Sequence, residues 1–250
     1  MAFTEVYVVS DVLETAADGD VKAAEAKLNT TFPTGYAEYV TTLGRGTYSG
    51  YVRIYLPDQI LSEHREVQTR WKEHYFWEPG DTGMDQQRVL EAIILGDTTA
   101  GDELIFHPQH PDAIYVLPRE EETIYQAGAK LEAAIDWLCH SGTLTEPLGF
   151  DYFEPWKDRA EIKLDASGQQ TLEEIRELIQ GLKLHDHIEE NEDDGMLKVF
   201  AKDFGGLLVG FIDPDTGSQI TIYYDRDKHT AALTTLVDTL KAAGFEERTG

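Results

Sequence analysis

The chain has 250 residues, of which 47 are Asp or Glu and 21 are Lys or Arg, so its formal net charge at pH 7 is −26. Acidic residues outnumber basic ones by 27 to 11 up to Lys157 and by 20 to 10 beyond it, so the excess is not a detachable tail. Such a surface repels nucleic acid and anionic membranes and attracts basic proteins. We therefore expect a basic protein partner, no nucleic acid and no membrane, although an adaptation for solubility or salt explains the acidity equally well.

Hydrophobic residues make up 41% of the chain, which is enough for a sizeable core. The single cysteine, Cys139, excludes an internal disulfide framework and is typical of a reducing compartment. Neither a signal-peptide pattern nor a run of about 20 apolar residues is visible. These features predict a cytoplasmic globular protein of one large domain, or of one domain with a smaller second one.

The first two predicted helices lie on either side of Phe32-Pro33. The first lies in DGDVKAAEAKLNTTF, and the second is capped by Thr34 and ends at Gly44. The apolar residues of the second helix follow the i, i+3, i+4, i+7 spacing of a buried stripe. They are Tyr36, Tyr39, Val40 and Leu43. Residues 51–56 then alternate as a half-buried strand does.

Residues 57–77 return to a helical period. Four short apolar runs follow, separated by Gly, Asp and Pro as in an antiparallel meander: EAIILGD, DELIFHP, AIYVLPR and ETIYQAG. Another helix is predicted around residues 131–138. The order of helices and strands predicts an α+β fold and not a doubly wound parallel sheet.

A segment without sustained period, residues 148–167, marks the boundary between predicted domains 1–157 and 158–250. The second domain starts with a helix whose capping box is Thr171 and Glu174. Three apolar runs follow the acidic loop EENEDDG, the last two joined by a turn at residues 214–217, and a final helix stops at Gly244. The sequence therefore predicts a small αβββα domain.

The residues that could carry catalysis or bind a metal favour structural roles. His107 and His110 lie in one turn and His185 and His187 follow a helix, but no third ligand is marked by spacing. In GDTTAGDE, the carboxylates Asp97, Asp102 and Glu103 are close in sequence, yet Gly-Asp is what a hairpin turn requires. No nucleophile, phosphate-binding or zinc motif is present, so we expect no catalytic site, no cofactor and no metal. An enzyme that uses these carboxylates, or His107 and His110, is the less favoured alternative.

Two segments resemble a known family. FPTGYAEYVTTLGRG resembles the Leu-Pro-x-x-Tyr-x-x-Phe-Leu-x-x-x-Gly-Gly motif of the SUKH superfamily, which includes the Smi/Knr-type cell-wall regulators. VLEAIILGDTTAGDELIFHPQHPDAIYVLPREEETIY resembles its second motif, a Gly-Asp-containing hairpin with a further strand. The resemblance covers about residues 20–157 and departs at Phe32 and at Arg45-Gly46. It implies helices packed on a mainly antiparallel sheet, and it leaves the C-terminal domain unassigned.

The resemblance also implies a binding function without catalysis. Many bacterial members are similar to immunity proteins that neutralise secreted toxins, often nucleases, whereas fungal relatives are scaffolds in cell-wall signalling. An acidic inhibitor suits a basic nuclease site, since its carboxylates occupy the field that holds phosphates. We therefore expect a cognate toxin as partner, with a cytoplasmic regulatory scaffold as the alternative.

Aromatic and arginine residues of two segments, one just after the first motif and the other RWKEHYFWEPG, form the predicted partner-binding site, because interfaces favour Trp, Tyr and Arg anchors. The predicted residues are Arg45, Tyr48, Tyr51, Trp71, Tyr75, Phe76 and Trp77. Binding requires at least two of these aromatic side chains to be exposed beside Glu78, Asp81 or Asp85. The alternative is that most of them belong to the core.

Overall fold

The computed structural model describes residues 3–166, 170–213 and 217–248. It divides the chain into two compact units, one made of Met1–Tyr7 and Leu13–Trp156, the other of Val8–Val12 and Lys157–Gly250. Segment 8–12 thus belongs to the second unit, although the predicted domain 1–157 includes it. The described residues combine helices with antiparallel sheets, which confirms the α+β class.

The first unit contains five α-helices among its described residues. They are α1 (Asp18–Leu28), α2 (Tyr36–Thr42), α3 (Pro57–His74), α4 (Gln86–Glu91) and α5 (Leu131–His140). The strands of the first sheet are β1 (Tyr7–Val8), β2 (Gly46–Tyr48), β3 (Val52–Ile54), β4 (Ile93–Thr98), β5 (Glu103–His107), β6 (His110–Leu117), β7 (Tyr125–Gly128) and β8 (Tyr152–Pro155). Their order is β1-β8-β2-β3-β4-β5-β6-β7, and neighbours from β8 to β7 pair antiparallel. The predicted meander is the β4–β7 half of this sheet.

Helix α2 carries the predicted buried stripe, and all four of its apolar residues are at most 1% exposed. The Tyr36 hydroxyl donates to the Tyr55 carbonyl at 2.8 Å, so this buried phenol keeps a hydrogen bond. The helix begins after Gly35, whose φ is 91°, and not directly after the predicted cap Thr34. Helix α3 ends at His74, three residues before the end predicted from its period.

The second unit has two α-helices and six strands among its described residues. They are α6 (Leu172–Leu182), α7 (Ala231–Ala242), β9 (Arg159–Ala166), β10 (His187–Asn191), β11 (Met196–Ala201), β12 (Gly206–Phe211), β13 (Ser218–Asp225) and β14 (Glu246–Glu247). The sheet order is β10-β11-β12-β13-β9-β14, antiparallel throughout. The three predicted strands are β11, β12 and β13, and β9, β10 and β14 extend their sheet. Residues 214–216 of the predicted turn lie outside the described residues.

Both helices of the second unit contribute to one core against this sheet. Ile175 and Ile179 of α6 and Leu233 of α7 are buried in it together with Leu197 and Ile220 of the strands. A buried ion pair also ties the sheet together: Arg159 on β9 donates to Asp225 on β13 at 2.6 Å, and the Asp225 side chain is only 2% exposed. Because a buried charge is costly unless it is paired, this contact holds β9 and β13 in register.

The predicted capping box at the start of α6 is present, and it gives a direct test of the second unit. The Thr171 hydroxyl accepts from the Glu174 N–H at 3.2 Å, and Glu174 accepts from the Thr171 N–H at 3.0 Å. Thr171→Ala should lower the free energy of unfolding by about 1 kcal/mol, because an N-terminal N–H loses its acceptor. Thr171→Ser keeps the oxygen and should lose only a few tenths, as measured by urea unfolding. Equal losses in both variants would contradict a capping role.

Candidate partner-binding site

Four of the seven predicted site residues lie in the core. Tyr48, Tyr51, Trp71 and Trp77 are each at most 8% exposed. The Trp71 indole N–H donates to Glu103 at 2.6 Å and the Trp77 indole N–H donates to the Pro118 carbonyl at 2.7 Å. Their polar atoms are therefore satisfied inside the protein, and these side chains present almost no surface to a partner.

Phe76 is the exposed member of this aromatic group, with 44% of its surface accessible. Its ring packs on that of Trp77 with centroids 4.5 Å apart, and Tyr75 beside them is half-buried. The acidic neighbour Glu78 is exposed. The predicted surface at the end of α3 thus has one exposed aromatic side chain instead of the two that the binding interpretation requires.

Arg45, the remaining predicted residue, is fixed by the two glycines that flank it. Its N–H donates to the Glu14 carbonyl at 2.9 Å, and its carbonyl accepts from the Trp156 N–H at 3.3 Å. Gly44 has a φ of 78°, and a Cβ there would lie 2.1 Å from the Glu14 carbonyl oxygen. A Cβ on Gly46 would lie 2.4 Å from the Glu154 carbonyl oxygen. The Gly-Arg-Gly sequence therefore passes between two neighbouring segments that leave room only for glycine.

The Arg45 side chain stands between a groove and a smaller cavity. It pairs with Glu14 at 3.2 Å and with Asp58 at 3.8 Å, and both carboxylates line the groove, which has a volume of about 410 Å³. Arg45 itself lines the neighbouring cavity of about 100 Å³. Asp20 and Lys27 also line the groove, and Leu56, Pro57 and Leu61 supply apolar lining. The arrangement combines an apolar wall with a rim on which carboxylates outnumber the one lysine, which suits a basic partner.

Trp156 lies at the edge of the smaller cavity and is 47% exposed. Its indole N–H donates to the Thr47 hydroxyl at 2.9 Å, and its backbone N–H is held by Arg45, so the ring has a fixed orientation. A large, exposed and immobilised aromatic side chain loses little entropy on binding. We take Trp156, Arg45 and the acidic groove as the candidate partner-binding site.

Sequence reasoning did not select Trp156 or the groove. Trp156 lies in residues 148–167, which the sequence marks only as the boundary between the predicted domains. One signal was available: Trp156 lies between Glu154-Pro155 and Lys157-Asp158 in a segment without helical period, where an indole has no helix face to pack on. The groove had no such signal, because residues 14–27 and 56–61 meet only in the folded chain.

Each carboxylate of the segment GDTTAGDE has its own donors. Asp97 forms a bidentate pair with Arg53, at 2.7 and 2.6 Å, and lines the small cavity. Asp102 is 5% exposed and accepts from the hydroxyls of Thr98 at 2.8 Å and Tyr51 at 3.1 Å, so it holds the β4–β5 hairpin. Asp97 and Asp102 therefore bind different partners, and both stabilise the fold.

Glu103 on β5 is the third carboxylate of this segment and the one with a shifted pKa. It accepts from the Trp71 indole and forms an ion pair with Arg70. Burial raises the pKa of Glu103 above its ordinary value of 4.5, while the Trp71 hydrogen bond and the Arg70 charge act against this shift. Both oxygens are engaged by neighbouring side chains, so the pair and the indole anchor α3 to the sheet.

His107, His110 and Cys139 also have structural surroundings. His107 is 4% exposed; its Nε2 lies 3.3 Å from Glu91, and its Nδ1 accepts from the Gln109 N–H at 3.2 Å. The ring of His110 lies 5.9 Å from that of His107. Within the described ranges, no group of three or more His, Cys, Asp or Glu is arranged to hold a metal ion. Burial raises the pKa of Cys139 to about 12, with smaller effects of Asp151 and Asp136, so the thiol stays protonated at pH 7.

Comparison with known proteins adds no family to these observations. The chain matches no model of a known protein family and none of the curated proteins with which it was compared. In the part of the chain that the structure describes, no helix combines the length and the apolar character that crossing a membrane would need. The candidate site is therefore defined by the geometry around Arg45 and Trp156.

Gly44→Ala tests the close approach that positions Arg45. We expect the variant to lose at least about 2 kcal/mol of unfolding free energy, because alanine is strained at positive φ and its Cβ overlaps the Glu14 carbonyl. Gly19→Ala is the matched control: Gly19 lies in α1, where a Cβ meets nothing within 4 Å, and its stability should not fall. Denaturant unfolding of both variants measures the difference, and an unchanged Gly44→Ala would refute the constraint.

The raised pKa of Glu103 predicts a pH-dependent effect on stability. A carboxyl whose folded pKa lies above its unfolded pKa binds its proton more tightly when folded, so its contribution decreases as pH rises above about 4.5 toward the folded pKa. Glu103→Gln has no such titration. The free energy of unfolding of Glu103→Gln minus that of wild type should therefore increase between pH 4 and pH 7 in urea melts. A pH-independent difference would contradict the raised pKa.

Proposed function

We propose that this chain is a protein-binding protein of the immunity type, which neutralises a basic toxin in the cytoplasm. The observation that carries the proposal is the exposed indole of Trp156, held in place by Thr47 and Arg45 beside an acidic groove. Tryptophan and arginine are the side chains on which binding energy concentrates, particularly where polar groups surround them. The motif resemblance to SUKH immunity proteins supports the same function.

Electrostatics favours a basic partner over other classes. Asp and Glu exceed Lys and Arg by 27 to 11 in residues 1–157, so the potential around the site attracts cations. Association of oppositely charged proteins is fast, which suits an inhibitor that must bind a toxin before it acts. A nuclease is such a partner, because its active site carries the positive charge that holds phosphates. We therefore place a nuclease toxin first among the partners.

Co-expression with the product of an adjacent toxin-like gene tests the proposal. We expect a complex that survives pull-down at low salt and protects the cells from the toxin. Absence of both complex and protection would overturn the immunity function. Capture of a partner that is not toxic, in the same experiment, would favour the regulatory scaffold instead.

Trp156→Ala tests the residue on which the proposal depends. Loss of an anchor indole should weaken toxin binding at least tenfold in a titration, with the circular dichroism spectrum unchanged. Phe211→Ala is the matched control, because Phe211 is an equally exposed aromatic residue, 54% accessible, in the second unit. Equal effects of the two substitutions would place the binding surface elsewhere.

A further inference from the structure

The lining of the groove carries three carboxylates, Glu14, Asp20 and Asp58, and one cation, Lys27. Asp58 follows Pro57 at the start of α3, and its side chain is 78% exposed with only a 3.8 Å contact to Arg45. Asp20 uses one oxygen to accept from the Ala17 N–H at 2.9 Å. Glu14 is the closer partner of Arg45, at 3.2 Å. Arg45 therefore compensates Glu14 first, and the carboxylates of the lining still outnumber Lys27, so Asp58, with its longer contact, is the one we take as available to another cation.

The lining of the groove also has apolar parts. Leu61 on the α3 side and Ala23 on the α1 side are accessible, whereas Leu56 and Pro57 are buried. Its volume of about 410 Å³ falls within the range of sites that hold several non-hydrogen atoms of a ligand. A lysine or arginine side chain matches both features, because its methylene stem packs on apolar surface while its charged end reaches a carboxylate. An anionic ligand would face the carboxylates, and a purely apolar one would leave them without a partner.

We infer that the groove binds an extended segment of the partner protein that carries lysine or arginine, with Asp58 receiving the charge and Leu61 the stem. The inference rests on the proposed function, since it names the part of a basic partner that this site would recognise. Charge complementarity selects the occupant: the same acidic field repels a second copy of this chain, whose net charge is −26. It also repels nucleic acid.

The test is a titration of the full chain with a fluorescein-labelled peptide, acetyl-Gly-Arg-Leu-Arg-Gly-amide, followed by anisotropy at about 0.15 M salt, where long-range attraction is screened. Binding should saturate, and a peptide with citrulline in place of arginine should not bind. Asp58→Asn should weaken binding about threefold to fivefold, the range of a partly exposed ion pair. The absence of saturable binding to wild type, or equal binding of the citrulline peptide, overturns the inference.

Glu66→Gln is the matched control for Asp58→Asn. Glu66 is exposed on the same helix, does not line the groove, and its substitution changes the net charge by the same amount. It should leave peptide binding unchanged, whereas equal weakening by both substitutions would show attraction by the overall charge and overturn the inference. Leu61→Arg places a cation in the groove and should abolish binding. Unaltered peptide binding by this variant would also overturn the inference.

The same variants separate this inference from the proposed function. If Asp58→Asn and Leu61→Arg bind the toxin as tightly as wild type and still protect cells, the immunity function stands and the groove is not its binding site. If the peptide binds as expected but no toxin partner is found, the groove inference holds and the immunity function is wrong.

Discussion

The backbone of residues 44–46 runs between two other segments of the first unit. The short distances to these two segments determine where the candidate site lies. On one side the Glu14 carbonyl would be 2.1 Å from a Cβ on Gly44, and on the other the Glu154 carbonyl would be 2.4 Å from a Cβ on Gly46. Arg45 is thus the one residue of the three with a side chain, and hydrogen bonds on both sides fix its backbone. Its guanidinium reaches Glu14 and Asp58 because of this position.

In the second motif too, a glycine allows two backbone segments to approach closely, here β3 and β4. A Cβ on Gly96 would lie 2.1 Å from the Arg53 carbonyl, so glycine allows β3 and β4 to approach, and Asp97 then pairs with the Arg53 side chain. Asp102 holds the following hairpin through Thr98 and Tyr51. The residues on which the resemblance is based are therefore residues that hold neighbouring backbone segments together. Their pattern is explained by the fold and does not require an active site.

Sequence periodicity predicted the elements whose burial repeats regularly, such as the stripe of α2 and the strands β4–β7. It missed β10, where Ile188 packs against the core while Glu189 and Glu190 follow it, because pairing with β11 makes an acidic segment into a strand. It also could not decide the exposure of Trp71 and Trp77. Their indole N–H groups find partners on β5 and at Pro118, and such contacts depend on distant residues. The groove was unpredictable for the same reason, whereas Arg45 was accessible through its motif.

The carboxylates of this chain belong to two populations. Asp97, Asp102, Glu103 and Asp225 are largely enclosed and have their own donors, whereas residues such as Asp58 and Glu66 face solvent. Dissolved ions screen the second population far more than the first. Added salt therefore relieves repulsion among surface charges and favours the folded chain, while it weakens attraction to a cationic partner. Folding stability and association should therefore respond to ionic strength with opposite signs. The low ionic strength at which this protein binds a cationic partner most tightly is also the condition in which repulsion among its own surface charges destabilises the fold most.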